Sequence, residues 1–464
     1  MPLTDLTATE ATAKMRTGDV AAEDYAGALL DRAASLSRLN AFRAIDRDAV
    51  LEAARRADRQ RSSGAKLGAL HGLPIPVKDS VNTKALPTTN GTRSLEDFRP
   101  RDDAGVLRAL LAQGAVVMGK TNIHELSRGW TSNNGVFGPV RNPHDETRVP
   151  GGSSGGSAAA VCARMAPLAV AEDTWGSIRV PAAWCGLAGL RPSYGRYPDD
   201  GIMPLTFGKF DTAGPLARCV ADLALFDTVV SGDARPIPEA SLRGARIGVP
   251  EWCWSGLDAD VERIGREALR RLEDAGAVLV HADLPDDARE GSAIAPVIIG
   301  YENVGSISAF LEQEAAGVRF PEVLAQASAN IRALYESLPA RDAYEVALAK
   351  RERLRGAIAT YFESHGVEAI VFPPVLAPAP PLGDNSTIEV GGESLGIRTV
   401  VGRNTALGSC AGLASLVLPA GLAPGGLPVC LEFDAPPGTD RQLLALGLAL
   451  ERVLGPIPAP ACAA

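Results

Sequence analysis

LPIPVKD (residues 73–79), DAGVLRALLAQG (103–114) and AVVMGKTN (115–122) decide the fold. The first and third are short apolar runs bounded by polar residues, and the second has apolar residues at helical spacing. Run, helix, run is the pattern of a sheet with helices packed on it. The alternation returns downstream. ARIGVPE (245–251) is followed by a charged helical stretch from Asp258 to Ala275, then by AVLVHADLP (277–285) and helical segments to about residue 365. EAIVFPP (368–374), ASLVLPAG (414–421) and PVCLEF (428–433) read as further strands, and Asp440 to Leu454 as a last helix. Upstream, residues 7–63 have helical spacing. The Pro-rich PPVLAPAPPLG (373–383) reads as a loop, and the terminal PIPAPACAA as a frayed end.

The chain has 464 residues, 46% hydrophobic and 22% charged, which suits a globular protein with a sizeable core. Lys and Arg total 46 against 55 Asp and Glu, a net charge of −9. Such a surface lacks the basic footprint of a nucleic-acid binder. No basic leader precedes an apolar run at the N-terminus, and no run of about 20 uncharged apolar residues suggests a membrane span. The seven cysteines are scattered without metal-ligand spacing, as in a reduced, cytoplasmic protein. The five histidines form no HxxxH or HxH set, so no metal site is expected.

VPGGSSGGSAAAVCARM (149–165) places five small residues, Gly151 to Gly155, before a run of helix formers. Glycines allow tight bends and close approach of another chain. A phosphate loop is one reading, but GK[ST] and G-x-G-x-x-G are both missing; an ordinary Ser/Gly loop is another. In AEDTWGSIRVPAAWCGLAGLRPSYGR (171–196), Ser177 follows Gly176 in a tight turn. A serine there is either a helix cap or a nucleophile beside converging backbone N–H groups. Asp173 and Arg179 flank the turn with charges that can pin it. A nucleophilic serine needs a base, and no histidine sits in a triad-like motif. Lys78, at the end of an apolar run, is the alternative: burial disfavours its charged form. It can equally be a strand-end lysine paired with Asp79.

Taken together, HGLPIPVKD, PGGSSGGSAAA and DTWGSIRVPAAWCGLAGLRPS resemble the amidase signature family, in the same order and spacing. Ser153 follows Lys78 by 75 residues, and Ser177 follows Ser153 by 24. The resemblance covers nearly the whole chain. It implies an α/β fold with one domain over residues 1–464, a central mixed sheet flanked by helices on both sides, and the helical segment 1–65 packed on it. It implies an amidase that uses no cofactor. Ser177 would be the nucleophile, Ser153 the bridging serine beside a cis peptide, and Lys78 the base. The main-chain N–H groups of Thr174, Trp175, Gly176 and Ser177 would form the oxyanion hole. Trp175 departs from the family pattern, D-T-G-G-S, and its indole would fill either the acyl pocket or the core.

GKTNIHELSRGWTSNNGVFGPVRNPHD (119–145) and APLAVAEDTWGSIRVPAA (166–183) are similar to the indoleacetamide and mandelamide hydrolase branch. By that analogy Ser127, Trp130 and Thr131, with Trp175, would line the substrate site. The implied activity is hydrolysis of small aryl-bearing amides, with small-molecule substrates and no nucleic-acid or membrane partner. An aryl acylamidase, a urethanase or the amidase subunit of a tRNA-dependent amidotransferase would use the same machinery. The resemblance leaves a homodimer open.

Overall fold

A computed structural model describes residues 2–463. Its frame is a mixed eleven-stranded sheet. In chain order the strands are β1 (Phe42–Ala44), β2 (Pro74–Lys78), β3 (Val116–Thr121), β4 (Leu168–Asp173), β5 (Ala188–Arg191) and β6 (Thr212–Ala217). They continue as β7 (Arg246–Gly248), β8 (Val278–Val280), β9 (Ala369–Phe372), β10 (Ala414–Leu422) and β11 (Pro428–Ala435). Across the sheet the order is β1-β3-β2-β4-β6-β5-β10-β11-β9-β7-β8. β2 lies parallel to both β3 and β4, whereas β4 through β11 pair antiparallel in the middle of the sheet.

Both faces are covered, and β10 shows why. Successive side chains of a strand point to opposite faces. Leu416 and Leu418 therefore enter the larger apolar core, while Val417 enters a second one with Trp184 and Cys430. The α/β fold with a central mixed sheet flanked by helices thus follows the sequence reading.

Four strands were not legible. Residues 7–63 form three helices, α1 (Ala8–Thr17), α2 (Ala22–Ser35) and α3 (Arg47–Ser62), but β1 interrupts them. A Thr7–Glu10 capping box starts α1, and Asp222 accepts from the N–H groups of Ala8 and Thr9 at 2.8 and 2.9 Å, tying the segment to the body. β4 is buried on both faces and lacks alternation. β5 is only four residues long, and β6 contains both Gly214 and Pro215.

The C-terminus is not frayed as expected. Arg32 Nη2 donates to the Cys462 carbonyl at 2.6 Å, and Cys462 Sγ lies 3.3 Å from the Pro143 carbonyl. One helix, Gly291–Glu314, has the length and hydropathy of a membrane span, which the sequence reading did not single out. It packs on helices Arg341–His365 and Ile397–Ala411 and buries the polar side chains of Glu302 and Asn303.

Candidate active site

β2 delivers Lys78 between two parallel neighbours, β3 and β4, where it is buried completely. An ammonium buried this deeply needs partners. Lys78 Nζ donates to Ser153 Oγ at 2.7 Å, to Glu172 Oε2 at 2.7 Å and to the Glu172 carbonyl at 3.3 Å. Asp79, its neighbour in sequence, turns elsewhere: it accepts from the Thr89 N–H at 3.1 Å and faces Lys120 at 3.8 Å. Burial raises the Asp79 carboxyl and lowers Lys120 to about 8, the two charges partly offsetting that cost.

Ser153 comes from the Gly/Ser loop. The peptide between Gly152 and Ser153 is cis. A Cβ on Gly152 would stand 2.8 Å from the Ser132 nitrogen, so only glycine fits against that strand of chain. The Ser153 carbonyl accepts from the His124 N–H at 3.1 Å and from Ser132 Oγ at 3.2 Å. Helix Gly155–Cys162 then leads away, its small residues packed closely on the sheet.

Ser177 comes from the turn that joins β4 to helix Arg179–Cys185. Asp173, wholly buried, organises that turn. It accepts from the N–H groups of Gly176 and Ile178 at 2.7 and 3.0 Å, and from Arg179 Nε at 3.1 Å. Burial alone would raise its carboxyl, but the Arg179 and Arg191 guanidiniums hold it well below the usual carboxylate range. Gly176 sits at φ +89°, a conformation that glycine adopts without the strain a Cβ would bring. Its N–H is committed to Asp173. Of the four N–H groups expected at an oxyanion hole, that of Gly176 is therefore already taken by a carboxylate.

Ser177 opens onto a cleft that is also lined by Ser127, Trp130, Thr174 and Trp175. The two indoles meet edge to face, centroids 5.0 Å apart, and Trp130 Nε1 donates to the Trp175 carbonyl at 2.6 Å. Trp175 Nε1 donates in turn to the Gly402 carbonyl at 2.9 Å. The Trp175 indole therefore packs on the helix containing Gly402 and still forms cleft wall. Thr131 is placed differently from expectation. It is buried, with Oγ1 3.3 Å from His124 Nδ1, and it does not line the cleft. Pro296, Ile299 and Leu334, from the helical segments before residue 365, add apolar wall.

The family model described as Amidase matches residues 24–444. The chain belongs to the amidase family. Members hydrolyse amide C–N bonds, and this enzyme is such a hydrolase. It is 36% identical to an indoleacetamide hydrolase of Agrobacterium vitis over 98% of both chains. It is 35% identical to a mandelamide hydrolase of Pseudomonas putida over 99% of this chain and 93% of the relative. The peptide amidase of Stenotrophomonas maltophilia superposes with a TM-score of 0.86 at 29% identity, covering both chains fully.

Sequence reasoning missed Glu172 in this amidase. Its Oε2 holds Lys78, while Oε1 lies 2.9 Å from Thr174 Oγ1, which also lies 2.7 Å from Asp211 Oδ1. One hydroxyl hydrogen cannot serve two carboxylates. Burial and the adjacent Glu172 push the Asp211 carboxyl up, so a proton is readily held there. A signal existed: Glu172 follows an apolar run, as Lys78 does, and a carboxylate in that position also needs a buried partner.

Proposed function

We propose that this amidase cleaves small aryl-bearing amides through an acyl-enzyme on Ser177, with Ser153 and Lys78 relaying the proton. The observation that carries the reading is the contact of the fully buried Lys78 with Ser153 and with Glu172 of β4, the strand whose following turn carries Ser177 to the cleft. When Lys78 is in its amine form, the 2.7 Å contact carries a proton from Ser153 to Nζ. Ser153 in turn takes the proton of Ser177 as Ser177 Oγ attacks the amide carbonyl. The N–H groups of Thr174, Trp175 and Ser177 stabilise the oxyanion. The relay then returns the proton to the departing amine, and water cleaves the ester by the same route.

The acyl preference is supported by the walls. Trp130 and Trp175 offer flat apolar surfaces beside Ser177, suited to stacking on an aryl ring. Two relatives are named for aryl amides, indoleacetamide and mandelamide. The reading includes a cytoplasmic enzyme acting on small molecules, free or as a homodimer, without nucleic acid or membrane. The test is a panel of phenylacetamide, indoleacetamide, an anilide, a carbamate and a long-chain amide, with mass spectrometry of the trapped enzyme. The aryl amides should turn over fastest, and the adduct should sit on Ser177. An adduct on Ser153 or a cysteine, or a preference for the long-chain amide, overturns the reading.

A further inference from the structure

Two arginines, Arg128 and Arg398, line the same cleft as Ser177, and among the described residues no Asp or Glu lines it with them. Among the described residues neither arginine is in a salt bridge, whereas the arginines elsewhere around the site are paired: Arg179 with Asp173 and Glu432, and Arg191 with Asp173. Arg128 is half-buried. Its Nε is shut off from solvent without a hydrogen-bond partner, and its guanidinium lies over the Tyr335 ring, 5.6 Å from the centroid. A cation held in this way, without an acid, is costly unless an anion arrives.

Arg398 stands in the first turn of helix Ile397–Ala411, where Gly396 supplies no side-chain cap. The helix dipole disfavours a cation at that end and favours an anion. Both arginines are thus placed where an incoming negative charge improves the local electrostatics. Of the remaining lining, Ser127 and Thr174 add hydroxyls near Ser177, and Trp130, Trp175, Leu205, Pro296, Ile299 and Leu334 are apolar. The cleft therefore has an apolar body, a reacting serine and a cationic rim.

We infer that the physiological substrate carries an anionic group, a carboxylate in its simplest form, bound by Arg128 and Arg398 while the amide meets Ser177. The inference rests on the amidase reading of the site and adds the charge of its substrate. Guanidiniums suit the task because their planar fork matches a carboxylate. The carboxylate can belong to the acyl part or to the amine that leaves, and the two are separated by choice of probe.

The experiment compares phenylacetamide with 4-carboxyphenylacetamide, charged on the acyl part, and with N-phenylacetylglycine, charged on the leaving group. Wild type, Arg128→Ala, Arg398→Ala and Arg398→Glu are assayed at low and high salt. One charged amide should exceed phenylacetamide in kcat/KM by roughly tenfold, chiefly through KM, and lose that margin at high salt. Each substitution should lower the charged-to-neutral ratio by about tenfold, with Arg398→Glu lowering it most. Binding of the charged amides to Ser177→Ala, with and without Arg398→Ala, is measured by calorimetry. Turnover of phenylacetamide with no preference for either charged amide, and a ratio unmoved by the substitutions, overturns the inference and leaves the amidase reading standing. Arg398-dependent binding without turnover of any amide supports the anion site and sinks the catalytic reading. No turnover and no Arg398-dependent binding sinks both.

Discussion

Replacing Asp173 by Asn removes one charge from the buried turn that carries Ser177. Asn keeps the size and one carbonyl oxygen, but it puts an NH2 group where only donors converge. The N–H groups of Gly176 and Ile178 and the guanidiniums of Arg179 and Arg191 all point at this carboxylate. Breaking a buried ion pair by removing one partner costs about 3–5 kcal/mol. Arg179 retains Glu432 at 2.8 Å and Ser409 at 2.7 Å, so the lower figure, about 3 kcal/mol, is expected. The change also frees the Gly176 N–H and loosens the oxyanion turn. Displacing a catalytic group by about 1 Å costs on the order of 100-fold in rate. Urea unfolding with kcat on phenylacetamide, and the rate of fluorophosphonate labelling of Ser177, read the two effects separately. Asp200→Asn is the control: its pair with Arg108 is exposed, side chains 56% and 54%, and its loss should cost below about 1 kcal/mol. If Asp173→Asn matched that control in stability and kept kcat within about threefold, the carboxylate would not be what holds the turn.

Lys78→Ala should lower kcat by about 10² or more while Lys84→Ala does not, and near-normal turnover of the former would remove the relay. Glu172→Ala should be more damaging than Glu172→Gln, because the amide oxygen can still accept from Lys78; equal loss of kcat and of urea stability in both would show that the charge, not the orientation, matters. Trp175→Gly loses an edge-to-face contact worth about 0.5–1.5 kcal/mol and opens the wall beside Ser177. It should shift kcat/KM toward bulkier acyl groups, and an unchanged substrate profile would place the indole outside the acyl site. His124, lowered from 6.5 to about 4 by burial and by the charge of Lys78, binds its proton in the unfolded chain first. Stability from this residue is therefore complete above pH 6.5 and falls as pH drops toward 4, by about 3 kcal/mol in all. Unfolding midpoints across that window should flatten in His124→Gln, and an unaltered slope would contradict the assignment.

What the sequence determined by itself was local. Apolar runs such as LPIPVKD and PVCLEF are legible because burial demands them over consecutive residues, and they became β2 and β11. The Gly/Ser loop and the turn at Ser177 are legible because close approach and positive φ restrict the residues that can stand there, as at Gly152 and Gly176. Only the tertiary structure decided what those residues face. Lys78 meets Glu172 rather than Asp79 because the two strands lie side by side, although 94 residues separate the partners. The Gly176 N–H goes to Asp173 because the turn folds back on that carboxylate, and Thr131 points inward to His124 rather than into the cleft. Arg128, in the stretch 119–145 that carries the branch resemblance, and Arg398, in a segment without a motif, sit far apart in the chain and share one cleft only once the sheet is closed over by its helices. Periodicity and turn chemistry act between near neighbours along the chain, whereas an electrostatic partner is chosen by distance in space.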